Sequence, residues 1–391
     1  MKLKLRLALV SLLMVFTTCY AQVIPIKVAI FSPLYIDSAF NGNTYQLGNA
    51  NLPKQILPGL EFYNGAIAAI DSLQKQGVQA VVVVSVYDTK SQRQPIDSIL
   101  NSNDIQDVNF IITSSNDRDD LKKLANFALL HQIPLISATY PNNAGIINNS
   151  FFIILNSTIQ THCREIYKYL QRNHAFDKII LFTRKGRPAE IIQSIFTQMS
   201  HITYSIPLKY LTVQLPDTFS VKQITPYMDS TRQNILICGS LNDGFALQLI
   251  KAASDAKNYP SLVVGMPTWD AMPGLDQPMF NNASIVYTTP FYCNRTTALY
   301  NSIADKYKQQ LNSYPSDMML KGYETVFHFI KVWQQYGADA INHLSDNHFT
   351  LFNTFKIQPV RDQKNLGIIN YQENQKLYFL KKIGGVIKSV N

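Results

Sequence analysis

The stretch "NFIITSSNDRDDLKKLANFALLHQIPLISATYPNNAG", Asn109 to Gly145, sets the terms of the fold. It contains two short apolar runs, "NFIIT" and "PLIS", separated by an amphipathic segment with acidic residues at its start. Continuous apolar runs bounded by turn residues suit strands buried on both faces. The intervening segment has helical spacing, with Asp119 and Asp120 where the helix dipole favours carboxylates. The reading is therefore strand, turn, helix, strand, turn. Each strand empties into small polar residues: Thr113, Ser114, Ser115 and Asn116 after the first, then Ser137, Ala138, Thr139 and Tyr140 after the second.

The same alternation runs outward in both directions. "IKVAIFSPLY", "AVVVVSVYD" and "SFFIILN" read as strands, and "GLEFYNGAIAAIDSLQKQG" as a helix ending on Gly77. A second set follows, with strands "KIILFTRK", "YSIPLKYL", "NILICGS" and "SLVVGM", helices between them, and "SIVYTTPF" as a strand or crossover. "TALYNSIADKYKQQLN" and "MLKGYETVFHFIKVWQQYG" are late helices, and the tail alternates like antiparallel hairpins. Alternating strands and helices imply mostly parallel sheets covered on both faces. Two successive sets in 391 residues imply two α/β lobes. No Pro/Gly/Ser-rich linker separates them, so the lobes touch closely or the chain crosses between them more than once.

In an open parallel sheet, ligands sit beyond the carboxyl ends of the strands. Ser114, Ser115, Asn116, Ala138, Thr139 and Tyr140 are therefore candidate site residues. Hydroxyls there can donate and accept without filling the space. The competing reading is ordinary helix capping and turn formation. Two such turns on adjacent strands converge on one crevice, which favours a site.

Composition narrows the class. Hydrophobic residues are 46% and charged residues 16%, a globular balance that argues against long disorder. The formal charge of +9 is spread along the chain, and part of it (Lys2, Lys4 and Arg6) lies in the first residues. No basic stripe with interleaved aromatics is present, so nucleic acid is not an expected partner. Residues 1–21 read as a signal peptide: a basic start, an apolar Leu7 to Phe16, and small residues at Cys19 and Ala21 before Gln22. Export to the periplasm follows. Lipid attachment at Cys19 is the alternative, disfavoured by Thr18, and is the only membrane contact expected. Cys163, Cys238 and Cys293 are too sparse for a disulfide framework, and one pair among them stays open.

Enzyme signatures are absent. There is no phosphate-cradling loop, dinucleotide fingerprint, nucleophile elbow or His/Cys metal spacing. A hydrolase or lyase has no motif behind it, and no cofactor or metal is expected.

At this point the chain resembles a type I periplasmic binding protein of the leucine/isoleucine/valine-binding and receptor ligand-binding group. The likeness spans Val23 to Asn391. It is carried by "IKVAIFSPLY", "PGLEFYNGAIAAIDSL", "VYDTKS" with Asp88, "IITSSN", "IPLISATYP" and "KGYETVFHFIKVWQQYG". "SPLYIDSAF…PGLEFYNGA" is similar to a branch common in exported Bacteroidetes proteins. The resemblance implies two Rossmann-like lobes joined by three crossovers, hinging shut on a ligand. The expected crossovers lie near Asn156, near Thr289 and between Leu344 and Phe355. Lobe 1 would then be 22–156 with 290–344, and lobe 2 157–289 with 345–391.

In amino-acid-binding relatives, residues matching Ser115, Ala138 and Thr139 hold the ligand's carboxylate and ammonium. The second lobe would contribute from Ser240 to Asp243 and from Thr268, Trp269 and Asp270. No Glu follows "SLVVGM" directly, so the acid would be Asp270 or Asp243. Tyr35, Phe291, Tyr292 and Trp269 are candidate aromatic walls. The expected function is capture of a small polar ligand, an amino acid or peptide-like molecule, for an ABC permease. The alternative is a ligand-free envelope interaction module on the same fold, motivated by the missing acid.

Overall fold

The computed structural model describes residues 25–48, 52–76, 81–203, 206–275, 277, 280, 283–383 and 386–390. The expected leader, its Cys19 and the expected helix end at Gly77 lie outside these residues.

Two seven-stranded sheets form the frame. The first contains β1 (Ile26–Ser32), β4 (Val82–Asp88), β5 (Phe110–Thr113), β6 (Leu135–Ser137) and β7 (Phe152–Ile154), ordered β13-β14-β7-β6-β5-β1-β4. The second contains β8 (Lys178–Thr183), β9 (Leu211–Gln214), β10 (Asn234–Gly239), β11 (Ser261–Val264) and β12 (Ile285–Thr289), ordered β16-β15-β12-β11-β10-β8-β9. The β2 and β3 pair (Phe40–Asn41 and Thr44–Tyr45) forms a small separate hairpin. The central strands β5, β10 and β12 are buried along their whole length. Their β-branched runs explain this, because helices cover both faces of a parallel sheet.

The helices follow the expected alternation. Between β5 and β6 runs α4 (Arg118–His131), whose Asp117 cap accepts from the N–H groups of Asp119 and Asp120. It follows α1 (Ile36–Ala39), α2 (Leu57–Lys75) and α3 (Ile96–Leu100). The second sheet is flanked by α5 (Ile159–Asn173), α6 (Arg187–Ile202), the short α7 (Val221–Ile224) and α8 (Asp243–Asp255). After β12 the chain returns to the first sheet through α9 (Ala298–Leu311) and α10 (Asp317–Tyr336). Tyr300, Ile303, Met319, Val326 and Ile330 of these helices share one apolar core with Val28, Ile30 and Phe110.

Two expectations are corrected. The tail does not return to the second sheet at Leu344. Its first hairpin, β13 (Ile357–Arg361) and β14 (Ile369–Asn374), joins the first sheet, with β14 parallel to β7. Only β15 (Tyr378–Ile383) and β16 (Val386–Ser389) extend the second sheet, by antiparallel pairing of β15 with β12. The third passage between sheets therefore lies between Asn374 and Tyr378. The expected strand "YSIPLKYL" is also displaced: pairing with β8 begins only at Leu211. Pro207 removes a ladder donor just before it. Cys163, Cys238 and Cys293 are all free thiols.

Helices α2 and α10 cross in close contact through two glycines. A Cβ on Gly65 would meet the Met319 carbonyl, and one on Gly322 would meet the Phe62 carbonyl. Backbone cannot retreat as a flexible side chain can, so Gly322→Ala overpacks the crossing. A loss of about 1–3 kcal/mol is expected in urea denaturation. An unchanged midpoint would contradict this packing.

Candidate functional site

The carboxyl edge of the first sheet is tied together by side chains. Asp88 ends β4 and is buried. Its carboxylate accepts from the N–H groups of Leu34, Tyr35, Ile36 and Lys90 at 2.8–3.1 Å. These bonds hold the loop after β1 and keep Tyr35 at φ 54°, a left-handed conformation that a non-glycine residue seldom adopts unaided. Tyr35 is half-buried. At the end of β1, the Ser32 hydroxyl donates to the Gly59 carbonyl and lies 2.7 Å from the Ser114 hydroxyl.

The predicted first-sheet residues come to one edge, but their roles divide. Ser114 and Ser115 are buried, with hydroxyls committed internally. Ser115 Oγ accepts from the Asp117 N–H at 3.2 Å and donates to Asp120 at 3.4 Å. Lys90 bridges Asp117 and Asp120 at 2.9 Å each, and its hydrogen bond helps hold the Asp117 carboxyl below its usual range. These serines thus serve the turn and the start of α4. Asn116 is exposed, Thr139 and Tyr140 are half-buried, and Ala138 is buried. The Thr139 carbonyl accepts from Asn156 Nδ2 at 2.8 Å, tying this turn to the first crossover.

On the second sheet, Ser240 is buried and its hydroxyl accepts from the Asn242 N–H at 3.1 Å. Asp243 is exposed at the first position of α8, and Thr268 is exposed. Trp269 is a correction. It is not a cleft wall but core, 1% exposed among Phe182, Phe245 and Leu249. The indole lies over Gly265, where a side chain would collide with the ring. A short 3₁₀ turn, Pro267–Ala271, folds it back onto the sheet.

The same turn carries Asp270 to the strand ends. Thr289, the last residue of β12, donates its hydroxyl to Asp270 Oδ2 at 2.9 Å. Asp270 is exposed as a residue, yet the surrounding protein desolvates its carboxyl and raises its pKa. The Lys321 ammonium of α10 opposes that rise. Among the described residues no ion pair within 4.0 Å joins the two. Lys321 sits 5.3 Å from the centre of the half-buried Phe291 ring. A small cavity of about 20 Å³ is lined by Ala138, Asn156, Phe291, Lys321 and Glu324. It has room for roughly one water. Ala138 follows β6 and Phe291 follows β12, so the carboxyl ends of the two sheets meet here.

Lys321 and Glu324 were not singled out from the sequence. Their signal was present: two charged residues three apart, and so on one face, in a helix with a largely apolar middle. Glu324 is buried and accepts from the N–H groups of Phe352 and Asn353 and from Asn353 Nδ2 at 2.6–2.7 Å. Asn353 Oδ1 in turn accepts from the Tyr292 N–H at 2.7 Å, beside the second crossover. Burial outweighs these donors and lifts the Glu324 pKa from 4.5 to about 7.

No family model matches the chain, and no curated protein matches it in sequence. Solved structures do match in shape. A protein from Rhodospirillum rubrum, assigned to branched-chain amino acid ABC transport, aligns over 94% of this chain and 100% of its own at 11% identity, TM-score 0.68. An ABC transporter substrate-binding protein from Desulfitobacterium hafniense covers the same shares at 10% identity and 0.59. A branched-chain amino acid ABC transporter periplasmic ligand-binding protein from Burkholderia xenovorans aligns over 94% of both chains at 11% and 0.56. At these identities the likeness is one of fold: two mostly parallel sheets, as in the type I periplasmic binding proteins.

The raised Glu324 pKa has a pH consequence. Between about pH 4.5 and about pH 7 the native state holds a proton that the unfolded state has released. Stability from this group is therefore present at the acid end and is lost as pH rises through the window. Urea midpoints measured across it should show that slope in the wild type and not in Glu324→Gln. An identical slope in both would assign the titration elsewhere.

Proposed function

We propose that this chain is an exported solute-binding protein that captures a small polar ligand, an amino acid or peptide-like molecule, between two lobes for an ABC transporter. One observation carries the reading. The carboxyl ends of both sheets meet beside the crossovers, where Lys321 lines the small cavity with Ala138 and Phe291 and its charge reaches the Asp270 carboxyl held by Thr289, while among the described residues no ion pair within 4.0 Å joins the two. An unbridged pair of opposite charges is suited to a ligand that carries a group for each, through charge-assisted hydrogen bonds. Asp270 supplies the acid that the sequence lacks directly after "SLVVGM". Asn116, Thr139 and Tyr140 remain available from the first sheet, along with Tyr35 and Phe291 as walls.

In this reading one lobe comprises 22–156 with 290–374, and the other 157–289 with 375–391. The chain acts in the periplasm as a binding protein rather than an enzyme. Among the described residues no helix is long and apolar enough to cross a membrane. A second reading, an envelope interaction module, is favoured by a larger groove at the far end of the second sheet.

A thermal-shift panel of amino acids, short peptides and sugars tests the proposal. A ligand at a hundred times its dissociation constant should stabilise the protein by about 2.7 kcal/mol. Asp270→Asn and Lys321→Met should each weaken the hit at least about tenfold, near 1.4 kcal/mol, while leaving the unliganded melting temperature within a degree or so. A panel with no hit counts against solute capture. A hit untouched by both variants would move the site elsewhere.

A further inference from the structure

A groove of about 780 Å³ lies at the amino ends of β8 and β9, the edge of the second sheet opposite to the proposed solute site. Its apolar lining includes Phe176, Ile206 and Leu211, which are 94%, 84% and 41% exposed. Single exposed apolar residues are ordinary on a surface, but three large ones around one groove are not.

These side chains are held out by structure. Phe176 sits in a turn closed by the bond from the Asp177 N–H to the His174 carbonyl, and by a 2.7 Å contact between the His174 and Asp177 side chains. On the other wall, Gln171 donates to the Ile206 carbonyl at 2.9 Å, and the Leu208 N–H donates to the Tyr167 hydroxyl at 2.8 Å. The groove is thus built from anchored walls.

Its charge points to the occupant. Asp177 is engaged by His174, and Arg232 is paired with Asp229. Lys178 and Lys209 also line the groove, and no ion pair to either ammonium is present among the described residues. A second copy of this chain would set lysines against lysines, which like-charge repulsion disfavours. We infer that this groove docks an acidic, apolar peptide segment of a partner protein, its apolar side chains against Phe176 and Ile206 and its carboxylates on Lys178 and Lys209. The inference stands independently of solute capture, since the two surfaces lie at opposite ends of the second sheet.

The test uses three fluorescent peptides of equal length, repeating Leu-Asp, Leu-Lys and Ser-Asp, titrated into the purified protein by polarisation. Leu-Asp should bind at least about tenfold tighter than the other two, because only it combines both features. Phe176→Asp and Lys209→Glu should each weaken it at least about tenfold, with unchanged melting temperatures as expected for surface positions. Equal binding of the three peptides, no binding of Leu-Asp, or insensitivity to both variants would overturn the assignment. Sedimentation supplies a further arm: self-association abolished by Phe176→Asp would give the groove to a second copy and overturn the acidic-peptide assignment.

Discussion

The structure depends on how three passages of chain between two sheets are held. The second passage is pinned to the first sheet's helix layer by a buried carboxylate: Glu324 grips Asn353, and Asn353 grips the backbone at Tyr292. The first and third passages are pinned to each other. The Thr158 N–H donates to Glu373 at 2.7 Å, and the Ser157 hydroxyl donates to the Asn374 carbonyl at 2.5 Å. Buried carboxyl groups of this kind are tolerable only when their oxygens are hydrogen-bonded, and removing a partner leaves a buried acceptor unsatisfied. The passages are therefore fixed locally, and the sheet edges beyond them carry polar residues. His162 extends the same region, with Nδ1 2.7 Å from the Thr288 hydroxyl and burial pushing its pKa down to about 3, so it stays neutral.

This arrangement divides the polar residues at the strand ends into two groups. One group builds the edge itself. Ser32, Ser114, Ser115 and Asp88 satisfy each other or nearby backbone, which shapes loops that carry few regular hydrogen bonds of their own. The other group faces the junction between sheets with charge left over, Asp270 from one side and Lys321 from the other. In the proposed reading, the first group is the rigid support and the second holds the groups whose partner arrives with the ligand.

The alternation of apolar runs and amphipathic helices made the two sheets legible, because burial on both faces of a parallel strand leaves a continuous signature. Strand ends were legible for the same reason. What a side chain does at those ends was not: Ser115 looks the same in sequence whether it caps α4 or faces a ligand. Trp269 was misplaced because "GMPTWDAMPG" reads as surface turn, yet Gly265 leaves the space that the indole fills. The tail was misassigned because alternation reports strands and not the sheet they join. Pro359 was the available clue, since proline belongs on an edge strand, and β13 is the edge of the first sheet. Lys321 and Glu324 went unseen because a helix that reads as core draws attention to its apolar face.

In the proposed function, the junction of the two sheet edges holds a small charged or polar solute. The most direct measurement is mass spectrometry of small molecules released on denaturing the natively purified protein, compared with Asp270→Asn prepared in parallel. One polar compound should be enriched with the wild type and depleted with the variant. The same compound retained equally by both, or none retained by either at protein concentrations well above a micromolar dissociation constant, would contradict it.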